Sequence, residues 1–370
     1  MKNIILTNLI VLFISLFVSL LCGEFLIRII APQNLSGSWF VETDNGLVAN
    51  KSNGSANAQL GKRNVLYHFY EPHLRDTPIK DKGIKILAVG DSFTFGMLLN
   101  KEDTYINHLQ NYIDNEFGNE CFQLLNGAAG GWGASSYAAF IEDFGPIIKP
   151  EIVLVFINTD DIGRSITKPI YTFDEAGKLK RNILKTSTLK KIVNSIYGYQ
   201  WLLAHSHLIQ IVRASIIKFG QPIHNPQTVK TEKKLLIAGP MSNIPGISRD
   251  YAIKLGQAIF KRIKKWCDEN NAELIITTTG WHNLNNADIS LEPTKAFMSH
   301  SSTFFNSIGA SFFDISTFVS KYKTIDMIIP DDGHPNEAGS KLIADSAWKL
   351  FIKDQLYKYC QKTAKCCNTE

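Results

Sequence analysis

Cysteine is scarce and unpatterned in this 370-residue sequence. Cys22, Cys121, Cys267, Cys360, Cys366 and Cys367 show no metal-ligand spacing and are too few for a disulfide scaffold. The last three share a polar tail, where one surface bridge would fit an oxidising compartment. Charge is thin as well: 20% of residues are charged and the net charge is +5. No dense basic stripe runs beside stacking aromatics, so nucleic acid is not an expected partner. The one basic run, Lys178, Lys180, Arg181, Lys185, Lys190 and Lys191, reads first as the solvated face of a connector. Attraction to membrane phosphates or an anionic glycan is its second reading. Internal repeats and low-complexity tracts are absent, which excludes a solenoid. With 45% hydrophobic residues the chain is not of the disordered type.

One long apolar run is present. Ile4 to Cys22 is uncharged, with only Thr7, Asn8, Ser15 and Ser19 as polar interruptions. As a helix it spans roughly 30 Å, the hydrocarbon thickness of a bilayer. Phe25, Leu26, Ile29 and Ile30 carry it past the interface. A cleaved signal peptide would have a shorter core and a small-x-small cleavage site. A lipoprotein Cys22 would follow a small residue, and Leu21 stands there instead. The reading is therefore an uncleaved single-pass anchor, residues 1–31. Lys2 and the terminal amine favour a cytoplasmic start, with Arg28 weakening the asymmetry, and place the body outside the cytoplasm.

Residues 32–82, rich in Asn, Ser and Gly around Asn50 to Asn57, read as a linker leading into a domain at 83–358. A polar tail, 359–370, follows that domain. Ile84 to Val89, Phe122 to Leu125, Ile152 to Ile157, Glu273 to Thr279 and Ser311 to Ile315 are short apolar runs that read as strands. Helical spacing lies between them, at Tyr105 to Ile113, Ala134 to Phe144 and Asp250 to Glu269, and a last helix is expected from Glu337 to Tyr357. Fully apolar strands joined by helices belong to a parallel sheet covered on both faces, a three-layer α/β/α sandwich. The alternation lapses at about 164–230, which reads as a helical insertion without strands.

Open parallel sheets bind ligands at the carboxyl ends of their strands. Three unusual loops follow strands here: Gly90-Asp91-Ser92 to Gly96, Asn126 to Gly133, and Asn158-Thr159-Asp160-Asp161. A fourth element, Asp331-Asp332-Gly333-His334-Pro335-Asn336, precedes the last helix. A serine hydroxyl becomes a nucleophile when a base takes its proton, and the base needs a carboxylate to hold its tautomer. Ser92 and His334 are the expected nucleophile and base. Asp331, three residues before His334, is the expected orienter, because side chains at that spacing meet on one face of a helical turn. Pro335 suits the first position of the following helix. Glycines in the second loop let a backbone N–H approach a developing oxyanion, and the Ser92 amide is a second candidate donor.

These four blocks, in order over residues 84 to about 350, resemble the SGNH (GDSL) hydrolase family. The resemblance rests on Gly90-Asp91-Ser92, on Gly131 five residues after Asn126, and on Asp331 with His334. It implies a flavodoxin-like sandwich, no cofactor, and ester hydrolysis or acyl transfer on an acylated small molecule or glycan. One block departs. The family usually reads Gly-x-Asn-Asp, its Asn donating to the oxyanion, and here Asp160 stands in that place. An ionised carboxylate only accepts hydrogen bonds. Either Asn158 supplies the donor, Asp160 is protonated, or the hole lacks one donor at a cost of roughly 10²–10³ in rate.

Trp281 and His282 follow a strand and are candidate pocket residues. His205 and His207 form a His-x-His without a third ligand at zinc spacing, so no metal site is expected there. Two other functional readings stand beside the esterase. A non-catalytic glycan-binding or assembly protein on a degenerate SGNH fold is supported by Asp160. A metal-dependent phosphoesterase would use Asp91, Asp331, Asp332 and His334 as oxygen-rich ligands.

Overall fold

The computed structural model describes residues 2–158, 160–184, 196, 198–219, 249–280, 297–298, 300–322 and 324–365. The chain divides into two units, a smaller one of residues 1–39, 56–66 and 187–228, and a larger one of 40–55, 67–186 and 229–370.

The smaller unit holds α1 (Lys2–Ile30). Among the described residues this is the one helix long and apolar enough to cross a membrane, over Ile4–Ile30 with a mean hydropathy of 2.7. The segment read as a linker is folded, not a tether. It carries five strands: β1 (Phe40–Glu42), β2 (Val48–Asn50), β3 (Gly54–Leu60), β4 (Arg63–Tyr70) and β5 (Leu74–Arg75). Their signal was hidden by polar residues, because β3 and β4 bury only alternate side chains.

The larger unit is built on β6 (Ile84–Val89), β7 (Phe122–Asn126) and β8 (Ile152–Ile157). Three helices join them: the short α2 (Ser92–Phe95), α3 (Tyr105–Phe117) and α4 (Ala134–Ile148). After β8 come α5 (Asp161–Thr167) and a hairpin of β9 (Tyr171–Phe173) with β10 (Leu179–Arg181). The supposedly strandless insertion therefore opens with two strands, turned by Asp174 and a left-handed Gly177. In the same stretch the smaller unit contributes α6 (Tyr199–His205) and α7 (His207–Phe219). The basic run is only partly a solvated face. Lys178 and Lys180 are exposed, but Arg181 makes a fork to Asp143 at 2.7 and 2.6 Å. Lys185, Lys190 and Lys191 lie outside the described residues.

The chain resumes with α8 (Arg249–Glu269), β11 (Glu273–Thr278), α9 (Ser301–Ser307), β12 (Ser311–Phe313) and α10 (Ser316–Val319). It closes with α11 (Glu337–Ala347), a π-helical turn over Trp348–Ile352, and α12 (Lys353–Thr363). Cys360 in α12 is disulfide-bonded.

The central sheet has eight strands in the order β12-β11-β8-β6-β7-β5-β4-β3. The first five are parallel, and β5 pairs antiparallel with β7 and with β4. The sheet is thus mixed, its parallel part running as expected. The two-residue side-chain period sorts the apolar strands into two cores. Leu87, Val89, Val153, Val155 and Ile276 face α4 and α8. Ile86, Ala88, Leu154, Phe156 and Ile275 face α3 and α11. Gly145 of α4 lets Trp266 of α8 pack flat, since a Cβ there would stand 2.3 Å from the indole.

This layering positions the site. From β6 the chain steps to β7 on one side and then crosses back to β8 on the other. Such a switch point opens a crevice at the carboxyl ends of the strands, directly after Val89.

Candidate active site

The turn after β6 has room for glycine only. A Cβ on Gly90 would stand 1.9 Å from the Thr94 hydroxyl oxygen and 3.2 Å from the Phe156 carbonyl oxygen. Asp91 then caps α2, its Oδ1 accepting from the Phe93 N–H at 2.9 Å. Ser92 opens the helix and is only 5% exposed. Behind it, the fully buried Arg75 lies between the Tyr67 and Phe95 rings. Its guanidinium donates to the carbonyls of Phe95, Gly96 and Leu99, at the carboxyl end of the turn.

His334 arrives from the far end of the domain. Its loop is clamped by an Ile328–Pro335 bridge and by the Ile329 N–H donating to the His334 carbonyl at 2.8 Å. Asn336, not Pro335, caps α11 by accepting from the Gly339 N–H, so the proline sits one residue outside the helix. The Ser92 hydroxyl and His334 Nε2 are 2.7 Å apart. The other ring nitrogen, Nδ1, lies 2.5 Å from Asp332 Oδ1. A carboxylate only accepts, so the ring proton sits on Nδ1 and leaves Nε2 to take the hydroxyl proton.

The carboxylate facing the ring is therefore that of Asp332, and the expectation of Asp331 is corrected. A three-residue spacing would suit a helical turn, but this loop is not helical. Asp331 and Gly333 both have left-handed backbones, with φ of 64° and 89°. The chain reverses at Asp331, whose side chain turns out to solvent, and the next carboxylate meets the ring.

The second loop lies against Ser92. A Cβ on Gly130 would stand 3.9 Å from Ser92 Cβ and 3.0 Å from Met97 Cε. Gly131 has a φ of 71°. The loop is pinned from the segment read as a linker: Asn50 Nδ2 donates to the Ala128 carbonyl at 2.9 Å, and Trp132 Nε1 to the Val48 carbonyl at 2.6 Å. Lys168 reaches the Gly131 carbonyl at 2.9 Å.

The third loop gives Asn158 and Asp160 different surroundings. Asn158 Nδ2 donates to Asp91 Oδ2 at 2.9 Å, while its Oδ1 accepts from the Thr279 hydroxyl at 3.1 Å. One amide thereby ties together the ends of β6, β8 and β11. Asp160 turns to Arg164, 3.2 Å away. Burial raises the Asp160 pKa, Arg164 opposes that rise, and the nearby Asp91 adds to it. Arg164 is the hub of this corner. It holds Asp91 Oδ2 at 2.7 Å and the Trp132 carbonyl at 3.1 Å. Burial works against its charge, but Asp91, Asp161 and Asp160 together raise its pKa. The sequence offers Asp332 only as a ligand of the metal-dependent alternative, and it does not single out Arg164. The doubled Asp331-Asp332 hinted at the first, and Arg164 stands four residues after Asp160, a helical pairing distance.

Trp281 and His282 lie outside the described residues. His205 and His207 do not converge on a common ligand: the His207 ring accepts from the Gln33 N–H at 2.8 Å, and His205 bonds the Trp201 carbonyl. Among the described residues no cluster of three His, Cys, Asp or Glu side chains could hold a metal ion. The oxygen-rich metal site considered from sequence is not assembled, because Asp91 is taken up by Asn158 and Arg164 and Asp331 faces away.

The family model of the GDSL-like lipase/acylhydrolases matches residues 86–347. No curated protein sequence matches the chain. Among solved structures, the chain is similar to the psychrotrophic esterase EstA from Pseudoalteromonas sp., at 14% identity and a TM-score of 0.42, over 74% of this chain and 98% of that one. It is similar also to an acetylxylan esterase from Geobacillus stearothermophilus, at 12% identity and a TM-score of 0.41, over 72% of this chain and 94% of that one. With the family match covering well over half its length, the chain belongs to the GDSL-like lipase/acylhydrolase family and is a hydrolase of the esterase type.

Proposed function

We propose that the protein cleaves or transfers the acyl group of an ester through Ser92, His334 and Asp332. Ser92 attacks the ester carbonyl while His334 Nε2 takes its proton. The tetrahedral intermediate collapses as the protonated ring returns that proton to the leaving alcohol. Water, or an acceptor hydroxyl, then attacks the acyl carbon as it gives its proton to Nε2, and the ring returns that proton to the Ser92 oxygen as the acyl group leaves. Asp332 holds the ring in the tautomer that leaves Nε2 open. The amides of Ser92 and Gly131 are the proposed oxyanion donors. On the third loop the donor chemistry is that of the Asn158 amide. Asp160 turns its carboxylate to Arg164 instead.

The observation that carries the proposal is the 2.7 Å approach of the Ser92 hydroxyl to His334 Nε2. It lies within the reach expected of a nucleophile and its general base. We place α1 in the membrane and the catalytic unit outside the cytoplasm, following the Lys2 end. An ester on a surface glycan would suit that placement. The test is hydrolysis of short acyl esters by the full chain in detergent, with an acetylated oligosaccharide as both donor and acceptor. Turnover that His334→Ala abolishes is expected, and undiminished turnover in that variant would overturn the proposal. Acyl groups appearing on the oligosaccharide, beyond those released to water, would assign the transfer reaction.

A further inference from the structure

Helix α1 is joined to the folded part of its unit. Glu24, near its carboxyl end, caps α7: its carboxylate accepts from the N–H groups of His207 at 3.0 Å and Leu208 at 2.9 Å. It also accepts from the Ser206 hydroxyl at 2.8 Å and from Arg28 at 3.3 Å. Leu208 packs over Gly23, and Gln210 Nε2 reaches the Ser36 carbonyl at 3.2 Å. The start of α7 is thus held at one level along α1. That level follows from the sequence. Ile4 to Cys22 fills a hydrocarbon core of roughly 30 Å, so Glu24 falls at its boundary with the headgroups. A charge at that depth is tolerable when it is paired and hydrogen-bonded, as Glu24 is.

At this boundary α6 and α7 expose a surface that water does not favour. Trp201 is 62% exposed and Ile216 is 66% exposed, with Leu202 and Val212 also open. Val212 and Ile216, four residues apart, lie on one face of α7. Trp201 stacks on His205, with ring centroids 4.6 Å apart. Tryptophan is enriched where one end of a side chain is apolar and the other wet, as at a bilayer interface. At 13 residues α7 is about 20 Å long, too short to span a membrane.

We propose that α6 and α7 form an interfacial foot, lying in the headgroup–acyl boundary of the bilayer that α1 crosses. The occupant of this apolar surface is lipid. Exposed apolar groups on elements fixed to a spanning helix at hydrocarbon level have the acyl boundary as their immediate neighbour. The foot rests on the reading of α1 as an anchor, and it would hold α1 at a set depth and rotation.

The full chain, inserted one copy per nanodisc, tests this with lipids brominated either just below the glycerol or near the acyl methyl end. In a chain carrying W281F and W348F, shallow bromine should quench tryptophan fluorescence more than deep bromine, and adding W201F should remove most of that quenching, because the remaining Trp39, Trp132 and Trp266 are buried. A benzophenone side chain replacing Ile216 should cross-link lipid. Equal quenching in W201F, stronger quenching by deep bromine, or cross-links to protein alone would each overturn the foot. Alkaline carbonate extraction of native membranes is read first. A protein that it washes off is not anchored, and the anchor and the foot then fall together. A protein that resists extraction yet shows none of the quenching rejects the foot alone.

Discussion

Converting Asp332 to Asn is the most discriminating change at the site. The amide keeps the size of the carboxylate but presents a donor or a weaker acceptor to His334 Nδ1, so the ring loses the partner that fixes its proton there. In a serine-protease triad with a buried carboxylate, the same change costs about 10⁴ in kcat. Here the His334 and Asp332 side chains are 21% and 23% exposed. Water can take over part of the orienting role, so we expect a loss of about 10²–10³ in kcat/KM, or roughly 3–4 kcal/mol of transition-state stabilisation. KM should change little, since Asp332 meets the Nδ1 side of the ring, opposite the nitrogen that meets Ser92. Asp331→Asn, at the neighbouring exposed turn, should stay within about twofold of wild type, as surface changes usually do. The assay is steady-state hydrolysis of a chromogenic short-chain ester by both variants, with circular dichroism to confirm folding. Loss of activity in Asp331→Asn with Asp332→Asn unaffected would refute the reasoning and restore the three-residue spacing.

Other predictions concern the supports of the site. Arg164→Ala should strand the buried Asp91 carboxylate and cost about 3–5 kcal/mol in denaturant unfolding, with Arg164→Lys recovering only part because it lacks the second nitrogen that reaches Asp160 while the first holds Asp91. A stability of Arg164→Ala equal to wild type would show that the hub is not needed. Gly90→Ala should force the Thr94 side chain and its turn to move, costing at least about 1–3 kcal/mol and displacing Ser92, seen as loss of both melting temperature and turnover. His73, packed on Phe144 and bonded to the Asn50 carbonyl, has its pKa lowered, chiefly by burial. A folded pKa below the unfolded value makes the unfolded chain bind more protons. The stability this supplies is present above about pH 6.5 and is lost as the pH falls through the depressed value. Thermal unfolding between neutral and mildly acidic pH should therefore depend less on pH in His73→Asn, which also tolerates the left-handed backbone at that position. An unchanged pH slope would remove His73 from the account.

The parallel strands were legible because both faces are buried, which leaves β6 and β8 with almost unbroken apolar runs. The antiparallel strands β3 and β4 were not. Half of their side chains face solvent, so their Asn, Ser, Gln and Arg residues resemble a linker. The meeting of Ser92 with His334 was legible because such a pair calls for particular residue types next to strand ends and a helix start. Asp332 was missed because the choice between adjacent carboxylates depends on the left-handed turn at Asp331, a backbone property with no composition signal outside glycine. Arg164 and Asn50 act on the site through buried hydrogen bonds across 73 and 78 positions of sequence, and no local pattern announces such distances.

The central claim is that the Ser92 hydroxyl, with His334 beside it, is the reacting group. Intact-mass and peptide analysis of the full chain treated with a fluorophosphonate reports on this directly. One adduct on Ser92 is the expected result, with none on Ser92→Ala and sharply slowed labelling of His334→Ala. Labelling that persists in Ser92→Ala, or a folded wild type that never reacts, would contradict the account.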